Sequence, residues 1–328
     1  MSAKSAAMPR PTGLIPLAIE LARPFTLLAP WLGFVSSGLA ALGARYHHGI
    51  GFSWMEIVPL LIGSVMSATL NAASNTINQI YDRDIDAVNK PHRPIPSGRA
   101  SLRLAWGLTA FFFIAAWILA WLADPLAGVP GDGQHQCFWI VLVTSFIVWA
   151  YSAPPLRTKR LGWGANITIA IPRGVLLKVA GWSAVVSVID PGTWHEPWYV
   201  GLIFGLFLLG ATTTKDFADI EGDRAGGCRT LPVVLGPERA AKITAPFFVF
   251  PFLLIPIGAW TGVLTGDPIA LTVLGLGMAT YGAWIGRMMT KDFKALAVDA
   301  NHPSWKHMYT MMFVGQIGFA VAYWLGAR

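Results

Sequence analysis

The sequence predicts an all-α integral membrane protein folded as a single bundle of about nine transmembrane helices. Three observations predict it. The chain is 54% hydrophobic and only 12% charged over 328 residues, whereas a soluble domain carries about 25% charged residues to cover its surface. Apolar runs approaching the roughly 20 residues that cross a bilayer recur nine times. Fifteen tryptophans suit a protein with long membrane interfaces, where that side chain collects.

The runs cover residues 14–43, 54–81, 102–123, 136–151, 163–188, 197–215, 240–262, 268–289 and 305–325, the fourth being the shortest. Residues 1–12 are polar, with Lys4 and Arg10, and read as a disordered cytoplasmic tail. No Pro-, Gly- or Ser-rich linker divides the remainder, so residues 13–328 read as one transmembrane domain. Lys and Arg crowd the loops after the second, fourth, sixth and eighth runs. The opposite loops 124–135, 190–196 and 261–267 have neither. By the positive-inside rule this places the N-terminus in the cytoplasm and the C-terminus outside. Arg45 and Arg328 are the exceptions. The net charge of +7 follows from the same asymmetry and calls for no nucleic-acid partner. Cys137 and Cys228 fall on opposite sides of the membrane, so no disulfide is expected.

Two acidic clusters close membrane runs. Asn78, Asp82 and Asp86 stand at i, i+4 and i+8, one stripe on a helix face. Asp216, Asp219 and Asp223 stand at i, i+3 and i+7, again on one face, directly after Lys215. Both lie at the side assigned to the cytoplasm. Ionisable groups at a membrane helix end are costly and mark a site. Facing carboxylates repel unless a cation lies between them. Mg²⁺ suits such a place, because it takes a few carboxylates while substrate phosphates fill its other positions. The loop Lys90-Pro-His-Arg93-Pro-Ile-Pro-Ser-Gly-Arg99 follows the first cluster and offers cations for phosphate oxygens. A second basic loop, Tyr151-Ser-Ala-Pro-Pro-Leu-Arg157-Thr-Lys159-Arg160, ends the fourth run.

Taken in order, an Asn-xxx-Asp-xxx-Asp stripe, Arg-Pro-Ile-Pro-Ser-Gly, Tyr-Ser-x-Pro and Asp-xxx-Asp ahead of Thr-Leu-Pro resemble the UbiA superfamily of intramembrane prenyltransferases. The resemblance runs from Arg23-Pro24 to Gly236, about two-thirds of the chain. The last three runs add only hydropathy. Where the family often has Asp after the first Asn, this chain has Gln79; where it often has Lys, this chain has Arg157. The resemblance implies transfer of a polyprenyl, geranylgeranyl-like group from its diphosphate to a lipid-soluble acceptor. It implies two Mg²⁺ ions, one held by Asn78, Asp82 and Asp86 and one by Asp219 and Asp223, with Asp216 supporting. Arg93 and Arg157 would neutralise the departing diphosphate, with Lys90, Tyr151 and Lys215 beside the substrates. Within the superfamily the wording is closest to the chlorophyll-synthase, homogentisate and geranylgeranylglyceryl-phosphate branches. The acceptor therefore stays open among an aromatic quinone precursor, a chlorophyllide-like molecule and a glyceryl phosphate ether lipid.

Arg173 and Lys178 stand inside the fifth run, with Arg173 about 15 Å from its cytoplasmic start at 1.5 Å per residue. Charges at that depth face a cavity or a partner, so both are expected to meet an anionic part of a substrate. Two other functions compete. A CDP-alcohol phosphotransferase also uses intramembrane acids, but gathers them in one contiguous motif. A cation transporter would place acids near mid-membrane or on both sides, and a basic loop beside its path would repel the ion.

Overall fold

The computed structural model describes residues 13–47, 51, 53–298 and 302–326. The expected tail, residues 1–12, lies outside the described residues. Among these the structure is helical, with no strand. In order, the helices are α1 Leu14–Ala22, α2 Leu28–His47, α3 Ile57–Tyr81, α4 Arg83–Asn89, α5 Leu102–Leu122, α6 Gln136–Ser152, α7 Trp163–Ala170, α8 Leu177–Ser183, α9 His195–Ala211, α10 Ile220–Ala225, α11 Leu231–Leu235, α12 Pro237–Thr244, α13 Phe250–Trp260, α14 Pro268–Lys291, α15 Phe293–Val298 and α16 Pro303–Gly326. Seven helical stretches among the described residues are long and apolar enough to cross a membrane, and α6 is a shorter apolar helix.

The first expected span is broken. Arg23 takes a left-handed conformation, φ 55°, and Pro24 after it has no N–H with which to continue the helical ladder. The break leaves carbonyls that a bilayer cannot hydrate. A ladder of amides on α3 satisfies them. Gln79 Nε2 donates to the Leu21 carbonyl (2.8 Å), Asn75 Nδ2 to Ala22 (2.7 Å) and Asn71 Nδ2 to Thr26 (3.0 Å). Gln79, the residue departing from the family pattern, therefore joins α3 to α1.

The fifth expected span is also interrupted. Between α7 and α8 the chain widens into a π-helical turn, Ile171–Leu176, containing Pro172 and Gly174; such turns recur at functional sites. Helix α9 packs directly on it. A Cβ at Gly174 would lie 2.4 Å from Gly205 Cα, so the contact requires glycine, as small residues permit close helix approach in membranes. Arg45, the exception to the charge rule, is explained here: its guanidinium donates to the buried Glu56, whose other oxygen accepts from the Ser53 N–H (3.0 Å). At the same end Glu196 on α9 accepts from Tyr323 of α16 and from the Thr265 N–H (2.7 Å). The outward side chains of α5 and α6, including Phe111, Ile114, Ile118, Val143 and Phe146, are exposed, as a lipid-facing surface requires.

Candidate active site

The two acidic clusters face each other across one cavity of about 350 Å³. Helix α3 supplies Asn78. Asp82 then occupies the kink between α3 and α4 (φ −96°, ψ 11°), and α4 supplies Asp86. The kink keeps the stripe on one side, and all three residues line the cavity. The second cluster is less regular. The chain leaves α9 through tight 3₁₀ turns, Thr212–Lys215 and Phe217–Asp219, before α10 begins. Asp216, Asp219 and Asp223 still converge on the same cavity.

Basic side chains interleave with the acids. Lys90 Nζ lies 2.6 Å from both Asp219 oxygens. Arg93 Nη1 lies 2.6 and 2.5 Å from the oxygens of Asp86. Lys159 Nζ lies 2.6 Å from Asp82 and 3.8 Å from Asp223, so it links the two clusters. Burial works against the charge of Lys159, yet Asp82 and Asp223 outweigh it and hold its pKa above the ordinary lysine value. It stays protonated through the physiological range. Lys215 Nζ stands 3.4 Å from the Tyr151 hydroxyl and 4.0 Å from Asp216.

The expected residues separate. Asn78, Asp82, Asp86, Lys90, Arg93, Tyr151, Arg173, Lys215, Asp216, Asp219 and Asp223 all line the cavity. Arg157 stands outside its lining: its Nη2 donates to the Tyr81 carbonyl (2.9 Å) and lies 3.6 Å from Asp82. Lys178 lines neither this cavity nor its neighbour. It is 1% exposed, with its amine 3.4 Å from the Gly33 carbonyl and 4.2 Å from the Phe204 ring centre. The expectation that both cations of this span meet a substrate anion is corrected for Lys178. Of the two, only Arg173 lines the cavity. Sequence reading missed two lining cations. Lys159 looked like loop charge, although it follows Arg157 at i+2 across a turn where Arg157 is left-handed (φ 35°). Arg23 was visible only as the start of the family resemblance. Its Nη2 is buried with no hydrogen-bond partner.

Among the described residues no three His, Cys, Asp or Glu side chains close around a single point. The carboxylates can supply one or two ligands each, with the rest left to another molecule. Asp82 Oδ1 is buried and accepts no hydrogen bond; its ion-pair partner, Arg157 Nη2, stands 3.6 Å away. A smaller apolar groove of about 60 Å³, lined by Pro30, Met66, Leu70, Val141, Leu176 and Ala180, borders the cavity. Ser74, Val148, Pro172 and Arg173 belong to both. At that seam Arg173 Nη2 donates to Asn71 Oδ1 (3.0 Å).

Fold and site together define a class: helical-bundle membrane proteins with a charged cavity bordered by an apolar groove. Residues 34–297 match the UbiA prenyltransferase family. The chain belongs to that family, and it is a prenyltransferase. It is 33% identical over 265 residues, 80% of this chain and 77% of the other, to the bacteriochlorophyll synthase 34 kDa chain of Chloroflexus aurantiacus. It is 29% identical over 268 residues, 80% and 87% of the two chains, to the digeranylgeranylglyceryl phosphate synthase of Methanobrevibacter smithii. The solved structure of a UbiA homolog from Archaeoglobus fulgidus bound to DMAPP and Mg²⁺ shares the fold, with a TM-score of 0.61 at 22% identity over 93% of this chain and 99% of that one. Family membership sets aside the phosphotransferase and transporter readings.

Proposed function

We propose that this enzyme moves a polyprenyl, geranylgeranyl-like group from its diphosphate to a hydrophobic acceptor, with Mg²⁺. The observation that carries the reading is the pair of neighbouring spaces: a cavity of facing carboxylates and cations that shares a wall with an apolar groove. An isoprenoid diphosphate has that division of charge. Asp82 Oδ1, buried without a hydrogen bond, and the carboxylates that face it across the cavity suit Mg²⁺, which keeps open positions for phosphate oxygens. The relatives support the acceptor classes, since one is a bacteriochlorophyll synthase chain and another makes digeranylgeranylglyceryl phosphate.

In this reading Asn78, Asp82 and Asp86 hold one ion, and Asp219 and Asp223 hold a second, with Asp216 supporting. Bound Mg²⁺ supplies Lewis-acid neutralisation of the diphosphate. Lys90, Arg93 and Lys159 are within reach of the same carboxylates and orient phosphate oxygens beside them. Arg23 and Arg173 bring positive charge with no carboxylate bonded to either. Lys215 and Tyr151 complete the wall, and Arg157 steadies Asp82 from behind. The C1–O bond of the donor breaks and its electron pair leaves with the diphosphate. The acceptor forms the new bond to C1 and releases its proton. The chemistry falls at the seam beside Arg173, where head and tail meet.

The same reading covers the architecture. The seven long spans, α6 and the α7–α8 pair together make nine crossings of one domain, residues 13–328. The basic loops, the N-terminus and the site face the cytoplasm, and the C-terminus faces outward.

The test is an acceptor screen with purified protein in nanodiscs, Mg²⁺ and radiolabelled geranylgeranyl diphosphate. Transfer to one acceptor, abolished by EDTA, is expected. Full transfer in EDTA would overturn the metal role, and no binding of the diphosphate would overturn the donor.

A further inference from the structure

Asp219 begins α10 as its N-cap residue, yet its side chain makes no capping bond. This is unusual, because an N-cap Asp ordinarily accepts from the backbone N–H two or three residues on. Here the carboxylate turns to the cavity and bonds Lys90. The vacant capping role is filled from another helix. Asn89, the last residue of α4, accepts the Gly222 N–H on Oδ1 (3.0 Å), which is the N–H that Asp219 would otherwise take. Its Nδ2 lies 3.3 Å from the Asp219 carbonyl, to which it donates. One amide thus grips both sides of the first turn of α10.

Close packing holds the amide there. A Cβ at Gly222 would lie 2.3 Å from Asn89 Nδ2, and one at Gly226 would lie 2.4 Å from Ile85 Cγ1. Ile85 and Asn89, one turn apart on α4, therefore sit in a groove formed by two glycines four residues apart, Gly222 in α10 and Gly226 at its C-cap. The same α4 carries Asp86, and α10 carries Asp223.

We infer that Asn89 is a positioning residue: by capping α10 in place of Asp219, it releases the Asp219 carboxylate to the cavity and fixes the spacing of the two acidic clusters. This rests on the proposed role of Asp219 in holding the cation beside the diphosphate. Without the amide, the N–H of Gly222 loses its partner, and the N-cap carboxylate of Asp219 is the acceptor suited to it by position. The carboxylate then folds back onto its own helix and leaves the cavity.

The experiment uses full-length protein in nanodiscs with geranylgeranyl thiolodiphosphate, an unreactive analogue. The Mg²⁺ concentration at half-maximal thermal stabilisation by the analogue is measured. Asn89→Ala is expected to raise that midpoint about tenfold, the size typical for losing a group that orients a metal ligand. Asn89→Asp keeps the acceptor for Gly222 and is expected to recover most of the loss. It also remains informative if the alanine variant fails to fold. In an Asp219→Ala background, Asn89→Ala is expected to add nothing, because coupled residues are not additive. An unchanged midpoint with a lowered Tm, or full additivity, would show a merely structural residue and overturn the inference. An Asp219→Ala variant with a wild-type midpoint would instead overturn the assignment of Asp219, and the inference with it.

Discussion

Buried carboxylates occupy both ends of this bundle and are treated in opposite ways. At the end away from the cavity, Glu56 has one oxygen on Arg45 and the other on the Ser53 N–H, and Glu196 is filled by Tyr323 and Thr265. Each is closed by its own neighbours. At the cavity end, Asp82, Asp86, Asp219 and Asp223 are crowded together, cations thread between them, and Asp82 Oδ1 and Arg23 Nη2 are left without hydrogen bonds. The first arrangement is complete as it stands. In the proposed reaction the second is completed by the cation and diphosphate that bind there, which is the physical difference between a structural acid and a site.

The largest test of that contrast is to delete acids at the cavity end. Asp82→Ala or Asp219→Ala is expected to cut prenyl transfer on the order of 10²- to 10³-fold, as losing one electrostatic stabiliser does. Thermal melting should hardly move for Asp219→Ala, whose partner Lys90 keeps contact with water, whereas Asp82→Ala strands the buried Lys159 and should lower Tm as well. A large fall in Tm for Asp219→Ala would place that acid with the structural ones. The reverse pattern is expected for Glu196→Ala. The Tyr323 hydroxyl and the Thr265 N–H would lose their acceptor inside the bundle, costing about 2–3 kcal/mol in denaturant unfolding. Turnover per folded molecule should persist.

A finer contrast lies within one span. Arg173→Ala should lower kcat/KM by about tenfold or more, the value of a hydrogen bond to a charged group, read in steady-state assays at varied donor. Lys178→Met should leave those constants alone and change stability by less than about 1.5 kcal/mol, as a swap of similar volume does. A kinetic defect in Lys178→Met would return that residue to the substrate path.

The stripe Asn78, Asp82, Asp86 was legible because helical spacing survives the kink at Asp82. The second cluster was legible as a set of acids, but not as 3₁₀ turns, since Thr212–Asp219 carries no Gly or Pro to announce them. The break at Arg23 was hidden for another reason. Hydropathy runs straight through Arg23-Pro24, and only the amide ladder of α3 shows how the freed carbonyls are satisfied. Arg157 and Lys159 traded places because reach in a loop depends on backbone conformation, which charge counting does not see. Lys178 shows the limit of depth arguments. A charge deep in a helix needs a partner, but carbonyl dipoles and a ring face can serve where an anion was expected.

The seam shared by the two spaces also bears on the direction of turnover. In the proposed reaction the two products belong to different phases. The freed diphosphate is a small polyanion and departs to water. The lengthened acceptor has gained a hydrocarbon tail, each methylene of which favours the bilayer by about 0.8 kcal/mol. Partition separates the products as soon as they leave the seam, and a pair held apart by a phase boundary does not return to recombine.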